Sequence, residues 1–360
     1  MTDAASRPYR FHAFDVSYFS AKVRTALRQK GVWYEEVRAD LREIRERTGL
    51  GFVPIVVTPE GETWQDSSEI FDRLEARHPD RPLFPSSPVQ RLFAHLVELY
   101  VDEFGLLPAM HYRWGSPVAD RMARARFVAM IGDERLGRAA ADRMAQARSS
   151  LGATDALAPA IEAHTRDLLD ALSALFEGSP YLLGDRLSFG DCALMGPLYG
   201  HLFNDLVSRR LLLETAVPVV GWIERCQAPD GASQGDWSAD EALPDGLLDV
   251  LAIMGRDAAP VILDGVHAFE RWAQTRSLGL DSIPRAVGTF ESRLRGLPLE
   301  RFTGAYALWM LQRTLDSLAD LSKADRARVD AALAGTGWEP LLAHAPRPRL
   351  AKRGFELVFV

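Results

Sequence analysis

The chain has 360 residues, of which 47% are hydrophobic and 25% are charged, the composition of an ordinary globular protein. This length accommodates two domains and an additional segment. The net charge of -7 argues against nucleic acid as a partner, because nucleic-acid binding usually requires a basic face.

The amino-terminal sequence MTDAASRPYR lacks the apolar core of a signal peptide, and no apolar run reaches the length needed to span a membrane. Two cysteines, Cys192 and Cys226, are too few for a disulfide framework. We therefore expect a cytoplasmic, reducing location with no membrane attachment.

The first 80 or so residues alternate between strand and helix patterns. Short runs that alternate or are β-branched predict strands, and apolar residues at helical spacing, ending at Gly31 and Gly49, predict helices. The turn at residues 59–61 joins two short strands into a hairpin. The predicted order is βαβαββα. The corresponding segments are YRFHAFDV, YFSAKVRTALRQKG, VWYEEV, LREIRERTG, VPIVVT, TW and SSEIFDRLEARH.

Four prolines between Pro79 and Pro88 end this unit, because proline cannot continue a helix. Helical patterns follow, and a polar, glycine-rich stretch near residues 228–246 predicts a second break. Beyond it we predict LLDVLAIMG and APVILDGVHAFERWAQTR as separate helices, a well-buried helix in AYALWMLQRTLDSL and a short final strand in LAKRGFELVFV.

Three blocks of sequence carry a resemblance to a known family. They are SYFSAKVRTALRQKG, VPIVVTPEGETWQDSSEI, and YLLGDRLSFGDCALMGPLYG followed by PVVGWIERC, and together they span residues 9 to about 226. In their order and spacing they resemble the glutathione S-transferase superfamily. The resemblance implies an α+β, thioredoxin-like domain with a mixed sheet at residues 1–84 and an all-α domain at 85–228. We assign residues 229–360 to an additional helical extension.

The resemblance also implies a glutathione site in the second block. In that family the proline equivalent to Pro54 has a cis peptide bond, and the residue equivalent to Val53 pairs with the cysteinyl part of glutathione. Asp66 and Ser67 stand where the family binds the γ-glutamyl end, and Gln65 is a further candidate. The alternatives are a trans proline at the first position of a strand and simple helix capping by Asp66 and Ser67.

The first block contains the candidate catalytic hydroxyl, Ser17. An unperturbed thiol has a pKa near 8.5, so a hydroxyl that donates to the sulfur at a helix amino terminus favours the reactive thiolate. Ser20 and Tyr18 are competing donors, and a plain helix-capping role for Ser17 is the remaining alternative.

The family's pocket for the hydrophobic substrate lies between its two domains, which points to LLPAMHYRWG. Met110, Tyr112 and Trp114 are candidates to line an apolar cleft, and Arg113 is a candidate to hold an anionic group. Ordinary packing of an aromatic cluster is the alternative.

The cysteines, one capping motif and the histidines indicate structural roles instead of catalytic or metal-binding ones. Neither cysteine lies in the first block, which argues against a reductase that forms mixed disulfides. Ser188 and Asp191 have the spacing of a capping box, with Cys192 beside them in a structural role. The histidines show no paired metal spacing, so we predict no metal.

Together these features predict a glutathione-dependent enzyme with glutathione as co-substrate and no metal. Its second substrate would be a hydrophobic, electrophilic small molecule, as in detoxification, with lyase, dehalogenase or isomerase outcomes left open. The resemblance implies a homodimer. One alternative is a non-enzymatic binding or assembly protein of the same fold whose extension docks a partner, and another is a chaperone-like or structural protein that binds no glutathione.

Overall fold

The structure, a computed structural model, describes residues 7–228, 235–239, 242–275 and 282–360. The elements of the amino-terminal region are β1 (Tyr9–Ala13), α1 (Tyr18–Gln29), β2 (Tyr34–Arg38), α2 (Leu41–Thr48), β3 (Ile55–Val57), β4 (Thr63–Gln65) and α3 (Ser67–Arg77). The middle region contains α4 (Pro88–Glu103), α5 (Leu106–Trp114), α6 (Pro117–Ile131), α7 (Glu134–Ser150), α8 (Ala158–Gly178), α9 (Phe189–Met195), α10 (Leu206–Thr215) and α11 (Val217–Gln227). The extension contains α12 (Leu247–Gln274), β5 (Gly288–Leu294), β6 (Leu297–Thr303), α13 (Ala305–Ala319), α14 (Lys323–Leu333), α15 (Glu339–Leu342), β7 (Leu350–Arg353) and β8 (Glu356–Phe359).

The amino-terminal sheet has four strands in the order β2-β1-β3-β4. Strand β1 pairs in parallel with β2 and antiparallel with β3, which pairs antiparallel with β4. The predicted mixed sheet and the βαβαββα order are therefore confirmed. Because alternate side chains of a strand point to opposite faces, Ile55 and Val57 pack in a small cluster with α2, while Val56 belongs to the main core. Strand β3 is thus covered on both faces.

The predicted capping box at the start of α9 is confirmed. The Asp191 carboxylate accepts hydrogen bonds from the Ser188 main-chain N–H at 2.9 Å and from the Trp222 indole N–H at 3.0 Å. It also accepts one from the main-chain N–H of Leu182 at 3.0 Å. All these donors converge on one buried carboxylate, so Asp191 joins α9, α11 and the loop before α9.

The extension is mostly helical, but it also contains two antiparallel hairpins, β5-β6 and β7-β8. The expectation of a helical extension with one short final strand is therefore incomplete, because that strand is a hairpin of two strands and β5-β6 forms a second hairpin. Arg295 and Gly296 connect β5 to β6, and both have positive φ, 50° and 83°. Two-residue hairpin turns favour this conformation, so the Arg-Gly pair between alternating apolar residues was the available signal.

Helix α12 is a single helix of 28 residues, not the two that the sequence predicts. Gly255 and Pro260 lie inside it without ending it. A Cβ atom at Gly255 would lie 2.4 Å from the carbonyl oxygen of Thr336, so glycine permits the close approach of that chain segment. The glycine is therefore explained by packing and does not mark a break.

The extension packs onto the middle region instead of standing apart from it. Helix α12 packs against α8 and α4, and α13 packs against α4. Leu308 and Leu311 of α13 are fully buried, as predicted, and they belong to the same hydrophobic core as the helices of the middle region. Part of the predicted break near residues 228–246 falls on residues 229–234 and 240–241, outside the described residues. None of the helices that are described is long and apolar enough to cross a bilayer.

Candidate functional site

A cavity of about 220 Å³ lies where the amino-terminal domain, the end of α4 and the extension meet. One wall belongs to the amino-terminal domain and includes all five residues that the sequence assigns to glutathione binding: Val53, Pro54, Gln65, Asp66 and Ser67. The opposite wall belongs to the extension and carries several long polar side chains: Arg285, Arg301, Tyr306 and Lys352. The structure thus brings the five predicted residues together and adds a second, unpredicted set.

The peptide bond between Val53 and Pro54 is cis, as the resemblance implies. Both residues precede β3, and Gln65 of β4 supports this loop by donating from Nε2 to the carbonyl oxygen of Phe52 at 2.9 Å. Among the described residues, the main-chain N–H and C=O of Val53 have no hydrogen-bond partner. The Gln65 side-chain carbonyl is buried and likewise lacks a partner within the described ranges. The loop therefore presents unused polar groups at the cavity.

Asp66 is the N-cap of α3, which matches the capping alternative raised from the sequence. Its Oδ1 accepts from the main-chain N–H groups of Ser68 at 3.0 Å and Glu69 at 3.3 Å. Its φ of 79° is uncommon for a residue other than glycine. Capping uses only this one carboxylate oxygen. The other oxygen, Oδ2, lies 3.0 Å from the Nζ atom of Lys352 in the extension. Asp66 therefore both caps α3 and forms an ion pair with Lys352.

Ser67 is the first residue of α3 and is buried at the cavity wall. No hydrogen bond of its hydroxyl is found within the described part of the chain. At a helix amino terminus the free N–H groups and the partial positive charge favour an anion. Ser67 thus offers a free hydroxyl at a position that is suited to a carboxylate.

The three candidate hydroxyls of the first block occupy different environments. Tyr18 is buried and donates to the carbonyl oxygen of Val101 at 2.8 Å, and burial raises the pKa of its phenol well above the usual value. Ser20 is fully buried, and its hydroxyl has no partner among the described residues. Ser17 is half-buried and is the N-cap of α1, accepting from the Ser20 N–H at 3.2 Å. None of the three lines the cavity, whereas Phe19 from the same segment does.

The four residues assigned to a substrate pocket, Met110, Tyr112, Arg113 and Trp114, do not line this cavity. Arg113 is buried, and its guanidinium bonds to Asp205 at 2.7 Å and to the carbonyl oxygens of Val16 and Gly200 at 2.9 and 2.8 Å. This side chain is therefore occupied by an internal carboxylate instead of an anionic ligand. Trp114 packs against Phe127, and Met110 is buried in the core, in line with the packing alternative.

The end of α4 adds carboxylates to the cavity that the sequence analysis does not identify. Lys22 of α1 is fully buried, and its Nζ atom lies 2.5 Å from Asp102 and 3.9 Å from Glu98. Burial raises the pKa of Asp102 to about 6, although Lys22 acts against this. Burial also raises the pKa of the neighbouring Glu103 to about 7, against the opposing charge of Arg301. Glu103 is thus partly protonated near neutral pH.

A separate group of potential metal ligands lies outside the cavity. His267, Glu270 and His344 bring three ligand atoms within 4.8 Å of one another, and His344 is hydrogen-bonded to Glu270 at 2.9 Å. The two histidines are 77 residues apart in the chain, which is why their spacing in the sequence gives no signal.

The comparisons with known proteins concern mainly the amino-terminal domain. Residues 11–82 match the family model described as glutathione S-transferase, N-terminal domain. A probable maleylacetoacetate isomerase of Caenorhabditis elegans is 35% identical over 88 residues, which are 23% of this chain and 41% of the relative. The chain therefore matches less than half the length of that relative.

Among solved structures, a glutathione S-transferase of Rhodospirillum rubrum is 18% identical with a TM-score of 0.42, covering 67% of this chain and 99% of its own. A beta-etherase of Sphingobium is 17% identical with a TM-score of 0.42, covering 63% and 98%. At these scores the structural likeness adds nothing to the assignment, which rests on the amino-terminal residues. These matches place residues 11–82 in the glutathione S-transferase superfamily, as a domain of its amino-terminal type.

Proposed function

We propose that this chain is a glutathione-dependent enzyme whose cavity holds the tripeptide beside an electrophilic small molecule. One observation carries the proposal. The unused main-chain groups of Val53, the free hydroxyl of Ser67 and the amino terminus of α3 all face one cavity in a domain of this superfamily. Such a convergence of polar groups in an enclosed site is what a small, charged peptide needs for binding.

In this proposal glutathione binds in an extended form along the amino-terminal wall. Its γ-glutamyl carboxylate lies at the amino terminus of α3, where the Ser67 hydroxyl donates to it. Its ammonium group approaches Asp66, and its cysteinyl main chain pairs with Val53 as an added strand would. Because Lys352 already forms an ion pair with Asp66, the ammonium must displace or share that partner.

We propose Ser17 as the donor that stabilises the thiolate. Its Oγ atom accepts one hydrogen bond from Ser20, and within the described residues its own O–H has no acceptor, so this proton is free to bond with sulfur. Tyr18 is already bonded to Val101, and Ser20 is completely enclosed. The proposal requires the thiol to reach past the cavity lining, to which this segment contributes Phe19 and not Ser17.

The electrophile would occupy the apolar side of the cavity, which is formed by α12, β5 and the start of α5: Val261, Ile262, Phe290 and Leu106. These residues replace the predicted cluster of Met110, Tyr112, Arg113 and Trp114. An activated thiol can serve transfer, ether cleavage or isomerisation, and the electrophile decides among them. The relative named a probable maleylacetoacetate isomerase illustrates one such outcome. A homodimer and a cytoplasmic location stay predictions.

The proposed function is tested by titrating reduced glutathione into the purified protein and recording both heat and the ultraviolet absorbance of the thiolate. We expect binding with a thiolate signal at neutral pH. Ser17→Ala should retain binding but lose this signal, with activity reduced about a hundredfold or more, because a positioned donor to a reacting anion contributes on this scale.

Ser20→Ala is the matched control, since it removes a hydroxyl of the same helix that has no partner among the described residues. It should leave both signals unchanged. Absence of heat with correctly folded protein would exclude glutathione as the ligand. Heat without a thiolate signal in the unmutated protein would instead favour a binding protein.

A further inference from the structure

Two arginines of the extension line the cavity without a carboxylate partner. Arg285 and Arg301 belong to the wall that faces the predicted glutathione residues. Within the described ranges, neither guanidinium has a carboxylate oxygen within 4.0 Å. The third basic residue at this cavity, Lys352, is paired with Asp66. The two arginines are therefore the cationic groups there that remain available to a ligand.

Arg301 is the deeper of the two. It lies on β6 with only 8% of its surface exposed, and its Nη1 atom donates to the main-chain carbonyl oxygen of Glu103 at 2.7 Å. Its Nε atom is buried and has no partner in the part of the chain that the structure describes. A charge taken out of water is costly unless an opposite charge and hydrogen bonds replace the lost solvation. This donor is therefore suited to an anion in the cavity.

The carboxylates around the cavity do not supply that anion. Asp66 is paired with Lys352, and Asp102 with Lys22. Glu103 is the remaining carboxyl of the lining, and burial raises its pKa to about 7, so near neutral pH it carries only part of a negative charge. The arginine side of the cavity consequently keeps an excess of positive charge.

Arg285 lines the cavity and is exposed to solvent. The carbon atom at the centre of its guanidinium lies over the Phe52 ring, 3.8 Å from the ring centre, a cation–π contact. No hydrogen bond of this guanidinium is found within the described residues, so its N–H groups remain available to a carboxylate. Phe52 directly precedes Val53, so this cation lies beside the wall along which we propose that glutathione binds.

We propose that Arg301, together with Arg285, forms a subsite for a carboxylate group of the molecule bound in this cavity. The inference rests on the proposed function, because it names the charge of the ligand at the same site. Two sources have this chemistry: the glycyl carboxylate of glutathione, extending beyond Val53 toward Arg285, and an acidic group on the electrophile. In both cases the extension selects a ligand by its charge.

Calorimetric titrations with matched ligands distinguish the two sources. Glutathione is compared with its glycyl ethyl ester, and S-carboxymethyl glutathione is compared with S-carbamoylmethyl glutathione, which replaces the added carboxylate by an amide. A charge-assisted hydrogen bond implies that loss of the relevant carboxylate weakens binding about ten- to a hundredfold. An effect in the first pair identifies the glycyl group, and an effect in the second identifies the electrophile.

Arg301→Met and Arg285→Met should abolish the difference in affinity between the two ligands of the affected pair. Arg293→Met should leave this difference unchanged. Arg293 is an exposed arginine on the same hairpin and is outside the cavity lining. Circular dichroism checks folding, and Arg301→Lys, which keeps the charge but loses the planar fork, should show an intermediate effect. Arg285→Met and Arg301→Lys keep the test decisive should Arg301→Met fail to fold.

A third titration, with succinate alone, separates this inference from the proposed function. If no glutathione ligand binds, the proposed function fails. Succinate binding that depends on Arg301 would still support the carboxylate subsite. Equal affinities within both ligand pairs, together with no succinate binding that depends on either arginine, would overturn the subsite.

Discussion

The two walls of the cavity use different chemistry. The amino-terminal wall presents main-chain groups, a helix terminus and short side chains, as at Val53 and Ser67. The extension presents long, charged side chains, as at Arg301 and Lys352. Main-chain groups recognise the shape of a peptide, whereas arginine and lysine recognise charge. In the proposed function, the amino-terminal wall supplies the site for glutathione, and the wall from the extension restricts which second ligand enters.

The largest expected effect concerns whether the extension is part of one folded unit. Trp338 is fully buried and donates from its indole N–H to the carbonyl oxygen of Leu251 at 2.9 Å. Because truncating a buried tryptophan leaves a cavity, Trp338→Ala should lower the free energy of unfolding by about 3–5 kcal/mol. Urea unfolding followed by both circular dichroism and fluorescence measures the change.

The matched control is Trp33→Ala in the amino-terminal region, where the side chain is 62% exposed. It should change the free energy of unfolding by no more than about 0.5 kcal/mol. Trp338→Ala could instead unfold the extension in a separate transition and leave glutathione binding unchanged. The two walls would then fold and bind independently, which would contradict a single site built from both.

A second prediction concerns the carboxylates between the two walls. Burial raises the pKa of Glu103 to about 7, so the folded protein binds its proton more tightly than the unfolded chain does. A group of this kind contributes stability below its unfolded pKa and loses that contribution as the pH rises through the folded pKa. Glu103→Gln should therefore become progressively more stable than the unmutated protein between about pH 4.5 and 7, by about 1–3 kcal/mol above this range.

Denaturant unfolding of both proteins across this pH range, without ligand, measures the difference. Glu300→Gln provides the control, because Glu300 is exposed on β6 and lies outside the cavity lining. A constant difference between Glu103→Gln and the unmutated protein at all pH values would mean that Glu103 ionises as an ordinary solvated carboxyl.

The same contrast explains what the sequence predicts and what it does not. The amino-terminal wall follows local rules: a proline before a β-branched run, a turn, and an acidic N-cap mark positions 53–67 in one continuous stretch. Ser17 is likewise predicted from a local pattern, the junction of the first strand and the first helix. In the structure, however, Phe19 is the residue of that segment that lines the cavity. The proposed division of the chain at residues 84 and 228 also comes from such local breaks and stays a prediction.

The second wall has no comparable local pattern. Three residues of this wall, Arg285, Arg301 and Lys352, come from separate segments of the extension. The packing of α12 and α13 against the middle helices brings these segments to the amino-terminal domain. An isolated arginine in a sequence usually indicates solvated surface, so its position at a cavity depends on tertiary structure. Arg113 shows the converse, because the position of the family's substrate pocket made it a candidate for an anionic group, while the fold supplies Asp205 as its partner.

The smallest expected effect concerns the contact that joins the two walls. The Lys352 ammonium lies 3.0 Å from the Asp66 carboxylate and also lies over the rings of Tyr306 and Trp309. In the proposed binding mode, the ammonium of glutathione competes with it for the same oxygen. Lys352→Met should therefore strengthen glutathione binding about three- to tenfold, a change in binding free energy of roughly 1 kcal/mol, as measured by calorimetry.

The opposite result would be equally informative about the comparison. Weaker binding by Lys352→Met would mean that the lysine contacts a carboxylate of glutathione and belongs to the glutathione site itself. Arg353→Met is the control, because this neighbouring cation is exposed and outside the cavity lining. Since the competing ion pair is screened only weakly where it is buried, the gain for Lys352→Met should persist at moderate salt concentrations. A gain that salt removes would instead indicate a long-range effect of net charge.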